Sequence, residues 1–98
     1  KINKKIQVID LCWLSDIDIK NLLKLIGRCA SVLIVDECRR SGCYGEGLMV
    51  DLQKASKANL NIDLHAAENS FIPLGESATS TLPSKDSIIE AAIRMLNA

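Results

Sequence analysis

"SVLIVDE", residues 31 to 37, sets Val32, Leu33, Ile34 and Val35 in a row between a serine and two carboxylates. An unbroken β-branched and aliphatic run marks a strand covered on both faces, as in a parallel sheet. Downstream, "YGEGLMVDLQKASK" (44–57) has a helical pattern with Leu48, Met49 and Leu52 inward, and "IDLHAAE" (62–68) reads as another strand. Upstream, "IQVIDL" (6–11) is a short apolar run bounded by charge, which predicts a buried strand. It leads into "DIKNLLKLIGR", with Leu22, Leu23, Leu25 and Ile26 on one side and Lys20, Lys24 and Arg28 on the other. That is an amphipathic helix, for which Ser15 or Asp16 is available as N-cap. A long connection, "NSFIPLGESATSTLP", carries both prolines to a last helix in "SKDSIIEAAIRMLN". Ser84 is its expected cap, and Ile88, Ile89, Ala92, Ile93 and Leu96 its expected buried stripe.

Strands alternating with helices predict right-handed crossovers and an α/β fold, a three-layer α/β/α sandwich around a mostly parallel sheet. Residues 1–98 make a single domain without linker, repeat or low-complexity tract. A chain of this length buries roughly 60–70% of its unfolded surface and needs no staple to fold. Twelve basic and twelve acidic residues cancel. Without a global field, nucleic acid and anionic membranes are not expected partners. No apolar run approaches the ~20 residues that span a bilayer, and no signal-peptide core opens the chain. Lys1 in place of an initiator Met suggests a piece of something longer, with Lys1, Lys4 and Lys5 as its solvated leading end.

Cys12, Cys29, Cys38 and Cys43 include no C-x-x-C pair, and the only histidine, His65, lies far from them in sequence. Zinc ligation needs closer pairing, so no metal site is expected. A Cys38–Cys43 disulfide is conceivable, but free thiols suit a domain with this much core. The expected compartment is reducing, the cytoplasm or a mitochondrial matrix.

The turn after Val35 holds the chemistry-bearing candidates: Glu37, Arg40, Gly42, Gly45 and Glu46. It follows the carboxyl end of a strand, where open α/β sheets bind ligands. The amides of Gly42, Gly45 and Gly47 could approach an anion at a helix N-terminus. Yet Gly42-x-x-Gly45-x-Gly47 lacks the dinucleotide spacing, and no lysine followed by Ser or Thr completes a phosphate loop. Glu46 would repel an anion while favouring the helix dipole.

Taken in order, Asp10-Leu11, Leu14, Asp18, Val35-Asp36-Glu37, Arg40-Ser41-Gly42, Gly45-Glu46, Ile72-Pro73 and Leu82-Pro83 resemble the transketolase C-terminal domain. The closer likeness is to the β-subunit end of the decarboxylating component of thiamine-diphosphate-dependent 2-oxo acid dehydrogenases, those of pyruvate or branched-chain 2-oxo acids. Cys12 stands where that branch has Arg, Asp16 where it has Pro, and Cys43 where it has a second Gly. The family's first strand and helix have no counterpart in these residues. The resemblance implies an oxidoreductase as parent, decarboxylating a 2-oxo acid and passing the acyl group to lipoamide. It also implies that thiamine diphosphate and magnesium sit on other domains, so this one holds no cofactor and is inactive alone. Its role would be structural, in a homodimer or heterotetramer of α- and β-type parts that docks the acyltransferase core. This chain has no Gly-Asp-Gly followed by Asn to give Mg²⁺ its hard oxygen ligands, in keeping with that role. Two alternatives are a stand-alone anion- or nucleotide-binding module, and the same domain of a transketolase or deoxyxylulose-phosphate synthase.

For the single residues, structural and functional readings compete. Arg39 and Arg40 could meet Glu37 or Glu46 at the surface, while Arg40 matches the family loop and could contact a partner. His65, near a strand's carboxyl end, is the one catalytic candidate, against the commoner part-buried histidine. Ser77 and Ser80 suit loop hydrogen bonding, since no base is paired with them. Trp13 is expected half-buried under the helix or at an interface. Cys43 is expected exposed and somewhat activated by the adjacent helix and arginines.

Overall fold

The computed structural model describes residues 5–57, 59–70 and 74–97. Lys1, Lys4, Ile72 and Pro73 lie outside them. Among the described residues, three helices and two strands follow one another as α1 (Ile19–Ile26), β1 (Ser31–Arg39), α2 (Tyr44–Ala55), β2 (Asn61–Ala67) and α3 (Lys85–Asn97). A 3-10 turn at Gly75–Ser80 interrupts the connection before α3. Within that turn Ser77 Oγ donates to Leu74 O at 3.1 Å and Ser80 Oγ to Ser77 O at 2.8 Å, the loop role foreseen for them.

β1 and β2 pair in parallel, Ser31 with Asn61 through Asp36 with Ala66. The register then slips, and Arg39 pairs with Ala67, so Glu37 and Cys38 form a bulge on β1. The ladder continues past it, with Arg40 N donating to Ala67 O at 3.0 Å. Bulges bend a strand and re-aim its side chains, and this one turns β1 into the loop that leads to α2.

Leu22, Ile26, Leu48 and Leu52 form the core between α1 and α2, with Val32, Ile34 and Ile62 packed against it. Side chains alternate along a strand, so Val32, Ile34, Ile62 and Leu64 share the face under α2. His65 points from the other face to α3, its Nε2 2.9 Å from Ser87 Oγ. The observed fold is thus α/β with a two-stranded parallel sheet.

Several sequence expectations are corrected. Residues 6–11 form no strand; Ile9 and Leu11 pack on the core as irregular chain, while Ile6 and Val8 are exposed. An apolar run supplies the side chains for a strand but not the partner edge, and here Ile9 and Leu11 pack on the core without pairing. Neither Ser15 nor Asp16 caps α1. Asp18 does, accepting from Lys20 N at 3.1 Å and Asn21 N at 3.2 Å. Replacing Asp18 by alanine is expected to cost about 1 kcal/mol of stability, read from a urea unfolding midpoint. Trp13 is 79% exposed rather than half-buried under the helix, and Leu25 points to solvent. On α3 the buried pair is Ala91 and Met95; Ile89 and Ile93 are exposed and Ile88, Ala92 and Leu96 are half-buried. Ser84 does cap α3, with Ser87 N donating to its Oγ at 3.1 Å and Ser87 Oγ accepting from Ser84 N at 2.9 Å.

Candidate functional site

The loop between β1 and α2 is built around Asp36, half-buried at the last regular position of β1. Its Oδ1 accepts from Cys38 N at 2.9 Å, holding the bulge. Its Oδ2 accepts from Gly45 N at 3.0 Å, in the first turn of α2. Cys43 is the N-cap residue of α2 and makes no side-chain cap bond. The cap comes from the neighbouring strand instead, and a carboxylate there also suits the positive end of the helix dipole.

Gly45 permits this contact. A Cβ on it would stand 2.6 Å from Leu64 Cδ1, 3.2 Å from Ile34 Cγ2 and 3.4 Å from Asp36 Oδ2. Helix α2 can therefore begin directly on the sheet only where that residue has no side chain. Gly42 has φ of 81°, a turn conformation that glycine adopts without penalty. Glu46 reaches back from α2 so that its Oε2 accepts from Gly42 N at 2.9 Å. Ser41 N donates to Asn69 Oδ1 at 2.9 Å, tying the loop to the end of β2.

Two of the three amides considered for an anion cradle are thus occupied by the chain's own carboxylates, Asp36 and Glu46. Arg40, Gly42, Gly45 and Glu46 are brought together; Glu37 projects from the bulge and is exposed. Arg40 is exposed as well, yet its Nη1 donates to Leu64 O at 2.8 Å. Its partner is a β2 carbonyl rather than Glu37 or Glu46. The remaining guanidinium edge is held in a fixed direction, which removes part of the entropy cost of meeting a carboxylate.

The cysteines depart from expectation. Cys43 is 8% exposed, not open to solvent, while Cys38 on the bulge is exposed. Burial, the largest single influence, pushes the Asp36 carboxyl up, but the amides of Cys38 and Gly45 and the two thiols together carry it below its ordinary 3.8. The same negative charge, with the hydrogen bond to it, raises the Cys38 thiol above 9.0. The role of Asp36 was missed in the sequence, where it counted only as part of the Val35-Asp36-Glu37 match; a carboxylate at the end of a strand carries no local signal of capping the next helix.

His65 is not part of this loop. With Glu68, Thr81, Ser84 and Ser87 it lines a shallow cleft between β2 and α3. Ser87 Oγ also donates to Ser84 O at 3.0 Å, so the serine beside His65 belongs to the helix cap. Thr81 Oγ1 is buried there with no hydrogen-bond partner. Among the described residues, no group of three His, Cys, Asp or Glu could hold a metal ion, and no helix is long and apolar enough to cross a membrane.

No family model matches this chain, and no curated protein or solved structure matches it.

Proposed function

We propose that this chain is the C-terminal assembly domain of the decarboxylating component of a thiamine-diphosphate-dependent 2-oxo acid dehydrogenase. In that reading the parent enzyme decarboxylates a 2-oxo acid and passes the acyl group to lipoamide. Thiamine diphosphate and magnesium belong to its other domains, and this one braces sister subunits and docks the acyltransferase core. The order of motifs suggests the parent. The observation that carries the assembly role is the β1–α2 loop: the amides of Ser41, Gly42 and Gly45 are bound by the chain's own side chains, while Arg40 is exposed and held by Leu64 O. A loop so filled presents side chains outward and has little hollow to offer a small anion.

The apolar surface supports the same role. Val8 is 88% exposed, Trp13 79% and Leu74 92%, large apolar groups that a partner would cover. The finer architecture belongs to this proposal too. In that reading helices cover both faces of a mostly parallel sheet, a three-layer sandwich.

The test joins the chain to the thiamine-binding domains of such an enzyme and follows subunit association and acyl transfer. Arg40→Ala is expected to weaken association about tenfold, as for a central interface arginine. In the chain alone the same change removes one hydrogen bond and costs about 1 kcal/mol. Unchanged association would remove the docking role of the loop. Tight binding of thiamine diphosphate with magnesium by these 98 residues alone would remove the assembly reading altogether.

A further inference from the structure

Trp13 is the one tryptophan of the chain and stands 79% exposed, although tryptophan is ordinarily well buried. It sits on the rim of an apolar groove of about 240 Å³ between α1 and the segment that precedes it. Leu11, Ile17, Leu22 and Leu25 line that groove, and Leu25 is 57% exposed. Leu22 and Leu25 lie three positions apart on α1 and share one side of the helix, with Asn21 next to them. Groove and indole form one apolar patch, an exposed surface of the kind that marks a protein contact.

The charged border of the patch selects the partner. Asp10, Asp16 and Asp18 stand exposed before α1, with no basic residue between them. Lys20, Lys24 and Arg28 follow, all exposed, and α1 itself holds no acidic residue. One end of the patch is therefore acidic and the other basic. A second copy turned end for end on the first places acid against base on both sides and sets the two helix dipoles antiparallel. With the two-fold axis level with Leu23, Asn21 of one copy faces Leu25 of the other. Asp16 and Asp18 then lie beside the other copy's Arg28, just past the cap Gly27. The chain carries no net charge, so no overall repulsion opposes an identical copy.

We propose that this face is a two-fold docking surface for a second copy of the same chain, in which Trp13 of each copy lies in the apolar groove of the other. Such a contact uses the same patch twice, so each indole and each groove is covered at once and the assembly closes at two. The buried indoles supply the anchors, and the bordering charges orient the copies and set the register. In the assembly reading, on which this rests only in taking the patch to be covered by protein, the second copy is the sister chain. None of the residues of the face belongs to the β1–α2 loop, so the two contacts are tested separately.

The experiment takes the whole chain and follows its mass by sedimentation equilibrium, together with the emission of Trp13. Concentrations run over the order of 1–300 μM, a span that brackets weak association. As the only tryptophan, Trp13 reports on this face alone. The expected result is a monomer–dimer equilibrium, with the emission moving to the blue and iodide quenching falling over the same range. Trp13→Ala, a change at an exposed position, is expected to weaken the dimer about a hundredfold, because both copies lose their anchor. Asp16→Lys and Arg28→Asp are each expected to weaken it roughly threefold to tenfold by bringing like charges together. The variant carrying both charge changes is expected to recover most of that loss. Arg40→Ala, off the face, is expected to leave the dimer as it is. A monomer throughout, a dimer in which Trp13 stays open to iodide, or masses that grow beyond two would each overturn the proposal. So would a Trp13→Ala chain that dimerises like wild type, a double charge exchange no better than the single changes, or a dimer lost with Arg40. A chain that stays monomeric leaves the docking role of the loop to its own association test with the thiamine-binding domains, so the two failures are told apart.

Discussion

Replacing Gly45 by alanine is expected to lower the stability of the chain by about 2 kcal/mol, within the usual cost of forcing one more methyl into a packed contact. The opposing effect is helix propensity, where alanine gains up to ~1 kcal/mol over glycine in a helix interior and less in a first turn. The clash wins because the obstructing atoms cannot all give way. Leu64 Cδ1, at 2.6 Å, is the end of a flexible side chain, but Leu64 is only 3% exposed and must turn within the core. Ile34 Cγ2, at 3.2 Å, is β-branched and stiff. Relief by lifting α2 from the sheet would stretch the 3.0 Å bond from Gly45 N to Asp36. Urea denaturation of wild type, Gly45→Ala, Leu64→Val and the double variant measures the coupling. Shortening Leu64 is expected to recover part of the loss, so the double variant should be less destabilised than the sum of the two. An additive pair, or a Gly45→Ala chain as stable as wild type, would show that α2 does not sit on the sheet as described.

Gly45 also shows what the sequence could and could not disclose. Gly45 was read only as an amide that could approach an anion at a helix N-terminus, while β1, α2 and α3 stand close to where periodicity and Ser84 put them. Those signals are local. The bulge at Glu37 and Cys38 is not, because it exists only relative to β2, and the apolar run gave no reason to extend β1 past Glu37. The cap of α2 was hidden for the same reason: Asp36 lies nine positions before Gly45 and meets it through the fold. Residues 6–11 show the opposite failure. "IQVIDL" has the composition of a strand, yet pairing depends on an available edge, and the segment uses Ile9 and Leu11 to pack without hydrogen-bonding into the sheet. In the candidate loop Arg40, Gly42, Gly45 and Glu46 were legible as a unit. What each contacts was not, since Leu64 O, the partner of Arg40, belongs to a different strand.

Asp36→Asn is expected to cost about 1–2 kcal/mol at neutral pH, because hydrogen bonds to a charged acceptor are the stronger kind and the amide can keep only one of the two. Its carbonyl oxygen can replace either Oδ1 or Oδ2, while its NH₂ group must then face the N–H of Cys38 or of Gly45. Gly45 is buried, so a donor left there without an acceptor has no water to turn to. The pH dependence follows from the direction of the carboxyl's shift. Its folded pKa lies below 3.8, so between the two values the unfolded chain binds more protons than the folded one. The stabilisation is complete above 3.8 and is lost as pH falls through the lower, folded value. Wild type should therefore exceed Asp36→Asn by a constant margin from pH 7 to about 5, and the two should converge toward pH 2. Unfolding midpoints across that range check the convergence, and a margin that persists at the acid end would mean that Asp36 acts through packing rather than charge. A second readout is independent of stability. Removing the charge should bring the Cys38 thiol down toward its ordinary 9.0, since that charge is the main cause of its rise. The exposed thiol of Asp36→Asn should then react faster with a disulfide reagent at neutral pH, while Cys12, on another part of the chain, keeps its rate.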